Sequence, residues 1–270
     1  DPPNIMIGSA AGLSFADFVM VDAPAAIICL IVMIGLFYLL FGRKFKVDEE
    51  HKRALMERDE REEIKNPTLL RQSVVMIVLV VVGFMAHGSL GIESCVVALT
   101  AAGVLMLVSG ERIEEALAHV EWTTLVFFAG LFIVVGALSE VGVIGMLAQA
   151  LIDVTGGSTF VAMLVLLFAS AIVSSFLDNI PFVATMIPLI QNMGAMGVDN
   201  LEPVWWSLSL GACLGGNGTL VGASANLIVA GMAADRGVKI SFLNYFKISF
   251  PIMIMTIAIS TIYVYLRYLL

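Results

Sequence analysis

Small polar residues lie among glycines in one long apolar stretch of the sequence. The stretch 211–231 reads GACLGGNGTLVGASANLIVAG and lies within an uncharged segment, 204–234, that is long enough to cross a membrane. Its polar side chains are Asn217, Thr219, Ser224 and Asn226. Water is absent from the membrane core, so unwound backbone there must bond to protein, to a water-filled cavity or to a ligand. Secondary transporters bind substrates and ions at such breaks, and we predict a broken helix here.

Close helix packing is the alternative explanation of these glycines, since GxxxG spacing lets two helices approach each other. The run Gly215-Gly216-Asn217-Gly218 favours a break instead, because glycine and asparagine weaken the helix itself.

A second apolar segment, 159–190, is interrupted by Leu177-Asp178-Asn179-Ile180-Pro181. The arm after the interruption, 182–190, would span only about 14 Å as a helix, which is half a bilayer. We therefore predict a re-entrant hairpin whose tip, 174–179, lies near the membrane midplane. Asp178 would then be an ionisable group inside the membrane, which indicates a functional site. Alternatively, Asp178 caps the helix that follows it.

The composition excludes a soluble protein and several chemistries. The chain is 60% hydrophobic and 13% charged, with a mean hydropathy of +0.99, and this predicts an all-α polytopic membrane protein. Three cysteines and three histidines are scattered, without CxxC or zinc-ligand spacing. No paired acids, HExxH motif or Ser/Lys dyad supports an enzyme. We expect no cofactor, no enzymatic activity and no nucleic-acid partner.

Charge and hydropathy divide the chain into segments. We predict an interfacial turn over 14–22, a first span over 24–40, and spans over 73–86 and 92–108 joined by a tight turn at 87–89. A further span follows over 121–138, and a final one over 250–265 comes after an amphipathic stretch, 241–247. The segment 43–72 holds nine of the fourteen Lys and Arg residues, which predicts a cytoplasmic loop.

The two ends of the chain resemble each other. Asn4 aligns with Asn226, and Leu13-Ser14-Phe15 aligns with Ile240-Ser241-Phe242. The charge pattern gives the two units opposite orientations, which predicts an inverted repeat. Residues 1–42 would end the first repeat, 43–72 would be the loop, and 73–270 would form the second repeat. That second repeat would hold scaffold spans (73–138), the hairpin (158–193), the broken helix (204–234) and the final span (250–268). We expect about 150 further residues upstream.

Three stretches resemble the ion transporter superfamily, in the branch of arsenite/antimonite permeases and the melanosomal P protein with its citrate-transporter-like domain. They are SSFLDNIPFVATMIPL, HVEWTTLVFFAGLFIVVGAL and GACLGGNGTLVGASANLIVAG. The resemblance implies a scaffold subdomain, a mobile transport subdomain, an elevator movement and a homodimer. Hairpin tips of related dicarboxylate transporters carry Ser-Asn-Thr, whereas this chain has Leu177-Asp178-Asn179, which suits a branch with a carboxylate in the site.

The resemblance places substrate and ion binding on two sets of residues. The second repeat would contribute Asp178, Asn179, Gly216, Asn217, Gly218, Thr219, Ser224 and Asn226. The first repeat would contribute Asp1 and Asn4, and a sodium ion would bind near Asn179, Asn217 and Ser224. The function implied is transport of a small anion such as arsenite or antimonite across the inner membrane, coupled to a proton or another ion. A sodium/proton antiporter, a sodium-coupled di- or tricarboxylate (citrate) transporter and an anion channel stay open as alternatives.

Overall fold

The computed structural model describes residues 2–42, 49–57, 64–110 and 112–270, and its regular structure is α-helical. The helices are α1 (Pro2–Ala11), α2 (Phe15–Phe41), α3 (Glu49–Met56), α4 (Pro67–Leu90), α5 (Ser94–Ser109), α6 (Ile113–Ala118), α7 (Trp122–Glu140), α8 (Val143–Thr155), α9 (Thr159–Phe176), α10 (Asn179–Ala195), α11 (Glu202–Gly215), α12 (Ser224–Asp235) and α13 (Phe242–Tyr268).

Within the described part of the chain, five helices are long and apolar enough to cross a membrane: α2, α4, α7, α9 and α13. Helix α4 is strongly apolar and yet buries none of its residues fully, and the same holds for α5. Apolar side chains exposed on this scale suit a lipid environment rather than water. The protein is therefore an all-α polytopic membrane protein, as the composition predicts.

The helices divide into two compact units. The first comprises Asp1–Leu13, Asp17–Cys29 and Thr123–Leu270, and the second comprises Ser14–Ala16 and Leu30–Trp122. In the second unit, α4 and α5 form a helical hairpin in which a Cβ on Gly83 would lie 2.6 Å from Val97 Cγ1. His87 holds the end of α4, since its Nε2 accepts a hydrogen bond from Phe15 N at 3.1 Å.

The core of the first unit is built around the pair α9 and α11, which pack together along most of their length. Gly211 and Gly215 permit this approach. A Cβ on Gly211 would lie 2.7 Å from Leu167 O, and one on Gly215 would lie 2.5 Å from Ala171 Cα. Small residues four apart allow membrane helices to pack backbone against backbone. Helix packing, the alternative explanation of the glycines, therefore holds for this part of the stretch.

Apolar side chains surround the α9–α11 pair on two sides. One cluster joins it to α1 and α10, and the other joins it to α13. Fully buried members of the first include Ile7, Ile190 and Leu208, and those of the second include Leu167 and Ile257. The cores thus fix the positions of α1, α10 and α13 against one helix pair.

The predicted helix break is confirmed. Helix α11 ends at Gly215 and α12 begins at Ser224, and the segment 216–223 between them consists of turns and bends. The sequence Gly215-Gly216-Asn217-Gly218 lies at the point where the helix ends, as its low helix propensity predicts.

The predicted half-length second arm of the hairpin is wrong. Helix α10 has 17 residues, Asn179–Ala195, and so extends about 26 Å rather than 14 Å. Pro181 lies in its first turn, where a missing N–H costs no helical hydrogen bond, and Pro188 is accommodated inside the helix.

Three further boundaries differ from the prediction because helices extend beyond the predicted apolar spans. Residues 14–22 belong largely to α2, residues 87–89 belong to α4, and the stretch 241–247 is continuous with the final span as α13. The turn after α4 lies at Gly91, whose φ of 63° is the left-handed conformation that glycine adopts readily. In each case the helix continues through less apolar residues next to the span that hydropathy predicts.

The α9–α11 contact predicts a strong effect of one added methyl group. Gly215→Ala should lower the free energy of unfolding by about 1–3 kcal/mol, since its Cβ would overlap the backbone of Ala171. Gly130→Ala on α7 is the matched control, because a Cβ there meets nothing within 4 Å. Thermal unfolding of the purified protein in detergent measures both. Equal melting temperatures for the two variants would contradict the close approach.

Candidate functional site

The helix break is closed by the side chain of Asn226. Its Nδ2 donates hydrogen bonds to the carbonyl oxygens of Gly216 and Thr219, each at 3.0 Å. These carbonyls lie in the segment where the regular helical bonds are lost, so they need other partners. Asn226, predicted as a binding residue, therefore has a clear structural part: it supplies hydrogen bonds that the interrupted helix cannot supply.

The end of α9 is bonded to the end of α11 and to the break. Ser174 Oγ donates to Ala212 O at 2.7 Å, and Ser175 Oγ lies within hydrogen-bond distance of Ala171 O at 2.7 Å and of Gly215 O at 2.9 Å. In the opposite direction, Thr219 Oγ1 donates to Ser175 O. All three donor side chains are fully buried. The hairpin tip and the helix break therefore meet at one place, through side-chain donors and backbone acceptors.

The glycines of the break leave no room for side chains. A Cβ on Gly218 would collide with Ser175 Oγ. One on Gly222 would lie 2.6 Å from Gly216 O and 2.8 Å from Ser175 O. Gly218, predicted from the resemblance as a binding residue, thus brings the backbone of the break against the end of α9. Gly216, predicted with it, lies against Gly222 O inside the break. Gly222, which the sequence analysis did not single out, belongs to the same contact.

Asp178 lies at the start of α10 and caps it. Its Oδ1 accepts a hydrogen bond from Ile180 N at 3.1 Å, and the residue is partly buried. This is the capping role that the sequence analysis left open as the alternative. The side chains of Asp178 and Asn217 make no hydrogen bond to each other in the described part of the chain. Asn217 and Ser224 are exposed at the break, and Asn179 is half-buried at the start of α10.

Asn4, the predicted counterpart from the first repeat, contacts α11 close to the break. Its Oδ1 lies 2.7 Å from Ser209 Oγ and 3.4 Å from Cys213 Sγ. Cys213 precedes Gly216 by less than one helical turn. Asn4 is thus placed beside the helix that leads into the break. Asp1, predicted with it, lies outside the described residues.

One polar contact near Asn4 was missed by sequence reasoning. Asp22 Oδ2 lies 2.5 Å from Ser209 Oγ, so α2 and α11 are bonded there. The prediction placed Asp22 at the edge of an interfacial turn, whereas it lies inside α2, two residues before Pro24. The available signal was a single carboxyl group within an otherwise apolar run of helical length.

The electrostatics of this region come from backbone groups and carboxyl groups. The sequence has no Lys or Arg from Ile113 to Asp235, a range that includes the hairpin and the broken helix. Helices α10 and α12 both begin beside the meeting place of hairpin tip and break, and a helix N-terminus carries partial positive charge. Ala223, at the N-cap of α12, gives no side-chain hydrogen bond to the first-turn N–H groups. One of those groups, Asn226 N, donates to Ala223 O at 3.1 Å. A helix N-terminus is in general a place where anions bind.

The bond from Thr219 to Ser175 predicts a difference between two conservative variants. Thr219→Val keeps the side-chain shape but removes the donor, leaving the buried Ser175 carbonyl without it. We expect the free energy of unfolding to fall by about 1–3 kcal/mol. Thr219→Ser keeps the hydroxyl and should lose less. Thermal unfolding in detergent compares the two, and a serine variant as unstable as the valine variant would show that packing, not the hydrogen bond, matters here.

Comparison with known proteins places this architecture in a family. Residues 1–211 match CitMHS, described as citrate transporter. An uncharacterized transporter of Mycobacterium tuberculosis is 43% identical over 270 residues, 99% of this chain and 63% of the relative. The 46 kDa membrane protein of Mycobacterium leprae is 41% identical over 271 residues, 100% of this chain and 63% of the relative.

A more distant likeness reaches animal proteins. The P protein of Sus scrofa is 36% identical over 230 residues, 80% of this chain and 27% of that protein. No solved structure matches the chain. The chain spans 63% of the length of the mycobacterial relatives given above, so it corresponds to a part of them. The resemblance to the P-protein branch, predicted from three motifs, is confirmed, and the chain belongs to the CitMHS citrate transporter family.

Proposed function

We propose that this protein is a secondary transporter that carries a small anion across the membrane, coupled to a proton or a sodium ion. The observation that carries the proposal is the helix broken at 216–223 and bonded to the tip of the α9–α10 hairpin. In a polytopic membrane protein, such a meeting of free helix ends supplies both N–H donors and carbonyl acceptors to a solute. Membership of a transporter family supports the same function.

The two ends of the chain support an inverted-repeat architecture. Helices α2 and α13 each have 27 residues, and each contains a proline at its tenth position, Pro24 and Pro251. Each follows a short helix that contains one of the aligned asparagines, Asn4 in α1 and Asn226 in α12. This equivalence extends the sequence match at 13–15 and 240–242. By symmetry, a site at the second break has a counterpart near Asn4.

The charge of the region favours a weakly charged substrate. The chain has no cationic side chain from 113 to 235, and its partly buried acidic group there is Asp178. Helix N-termini provide only about half an elementary charge each. An oxyanion that moves as a neutral or singly charged species, such as arsenite or antimonite, suits this weakly positive electrostatic environment.

A di- or tricarboxylate such as citrate is the second candidate, and the family description favours it. A substrate with several negative charges would need accompanying cations, because the hairpin and broken helix supply no basic side chain. Sodium would then bind near Asn179, Asn217 and Ser224, whose oxygen atoms suit a hard cation. Under this proposal Asp178, Gly216, Gly218, Thr219 and Asn226 shape or hold the site.

The remaining features follow the same architecture. We propose that the protein works as a homodimer in the inner membrane, moves its transport subdomain like an elevator, and keeps loop 43–72 in the cytoplasm. That loop holds nine of the fourteen Lys and Arg residues of the chain, and this supports the orientation.

Uptake into liposomes tests the function. The full-length protein would be reconstituted and offered arsenite, antimonite, citrate, succinate and chloride, with and without imposed pH and sodium gradients. We expect saturable uptake of one oxyanion or carboxylate that a gradient accelerates. Exchange of sodium for protons without any anion would favour the antiporter, and flux that does not saturate and needs no counter-ion would favour the channel.

Asp178 provides the sharpest variant for this assay. Asp178→Asn should abolish ion-coupled uptake while changing the melting temperature little, because the amide oxygen can still accept the bond from Ile180 N. Asp178→Ala is the matched control for the cap, and it should lose about 1 kcal/mol of stability. Normal uptake by Asp178→Asn, with unchanged pH and sodium dependence, would assign Asp178 to capping alone.

A further inference from the structure

A carboxyl group outside the hairpin and the break forms part of a buried polar cluster. We call Asp22, Asn4, Ser209 and Cys213 the Asp22 cluster; it joins α1, α2 and α11. Ser209 Oγ lies 2.5 Å from Asp22 Oδ2 and 2.7 Å from Asn4 Oδ1, and Ser209 is fully buried. Cys213 Sγ lies 3.4 Å from the same Asn4 oxygen.

The hydrogen atoms of the cluster do not balance if Asp22 is ionised. Ser209 has one hydroxyl hydrogen and can donate it to one acceptor, yet it lies within hydrogen-bond distance of two oxygens. A carboxylate and an amide oxygen are both acceptors. If Asp22 is protonated, it donates to Ser209 Oγ, and Ser209 donates to Asn4 Oδ1. Each short contact then contains one hydrogen.

Exchanging the oxygen and nitrogen of the Asn4 amide would also supply a hydrogen. Two observations oppose that arrangement. It removes the acceptor that Cys213 Sγ faces. It also requires Asp22 to be a charged carboxylate. Its Oδ1 is buried and has no hydrogen-bond partner in the described part of the chain. A buried charge without partners is far costlier than a neutral carbonyl oxygen in the same position.

Among the residues that the structure describes, no cationic side chain is paired with Asp22. Helix α1 (Pro2–Ala11) has no ionisable side chain, and α9 has none. On α11 the titratable neighbour is the Cys213 thiol. On α13 it is Tyr263, whose hydroxyl donates to Val21 O at 2.8 Å and accepts a hydrogen bond from the exposed Arg267 Nη1 at 3.1 Å.

We propose that Asp22 is a proton-binding site of the transport cycle, separate from Asp178. When the proton leaves Asp22 for water, Ser209 turns its single hydrogen to the carboxylate, and Asn4 loses that donor. Proton release therefore reverses the direction of the bond between α11 and α2 and removes the bond between α11 and α1. Since Asn4 lies beside the helix that leads into the break, the loss of that bond couples protonation to the candidate site. The coupling rests on the proposed transport function, whereas the proton on Asp22 does not.

Infrared spectroscopy of the full-length protein in lipid tests the proton directly. We expect the carbonyl-stretch band of a protonated carboxyl group at neutral pH, lost in Asp22→Asn. Asp153→Asn is the matched control: Asp153 is exposed on α8 and bonded to Gln149, so its replacement should leave the band unchanged. Ser209→Ala should shift the band, because the carboxyl proton loses its acceptor. A band that neither Asp22→Asn nor Ser209→Ala alters would overturn the proposal. If the Asp22→Asn variant does not fold, the presence or absence of the Ser209→Ala shift decides between the two outcomes.

Uptake into liposomes tests the coupling. Asp22→Asn should lose the acceleration by a pH gradient while keeping exchange of the transported anion at equal pH on both sides. Retained acceleration in Asp22→Asn would overturn a role for this group in coupling. If the wild-type protein moves none of the offered solutes, the proposed function fails, and the infrared result still decides whether Asp22 holds a proton.

Discussion

Backbone hydrogen bonding inside the membrane is the constraint on which the described structure of the first unit depends. A helix that stops at Gly215 and resumes at Ser224 loses part of its regular bonding. Under the proposed function the break lies in the membrane core, where water cannot replace those bonds. Four small donors, Ser174, Ser175, Thr219 and Asn226, supply hydrogen bonds to carbonyl oxygens at the ends of α9 and α11 and in the break. Their reach is short, so α9 and α11 must lie almost backbone to backbone. This explains why glycines occupy one face of α11 and the break.

Much of this could be predicted from the sequence. The break was visible because glycine and asparagine in an apolar run conflict with helix propensity, and the interruption before α10 was visible because Asp178 and Pro181 conflict with a continuous apolar segment. Both conflicts are local in the sequence, so they can be detected without knowledge of the fold. The resemblance to the P-protein branch rests on the same stretches, which is why motif and structure agree there.

Boundaries and partners were harder to predict because they depend on packing. Pro188 and Pro251 lie within continuous helices, which hydropathy alone does not reveal. Asp22 was assigned to a turn, since a carboxyl group inside an apolar helix is costly unless another helix supplies a partner. That partner, Ser209, is 187 residues away along the chain. Contacts of this separation leave no trace in local periodicity.

The bonds that hold the hairpin tip to the break end on backbone carbonyls, and this has an evolutionary consequence. Every residue has a carbonyl oxygen, so the acceptors of these hydrogen bonds do not depend on which side chains surround them. Asn217 and Ser224 are exposed beside these hydrogen bonds, and their side chains take no part in them. Under the proposed function, substitutions at these exposed positions change which solute is selected without dismantling the scaffold that presents them. A single architecture of this kind can diverge in specificity while its small buried donors stay constant.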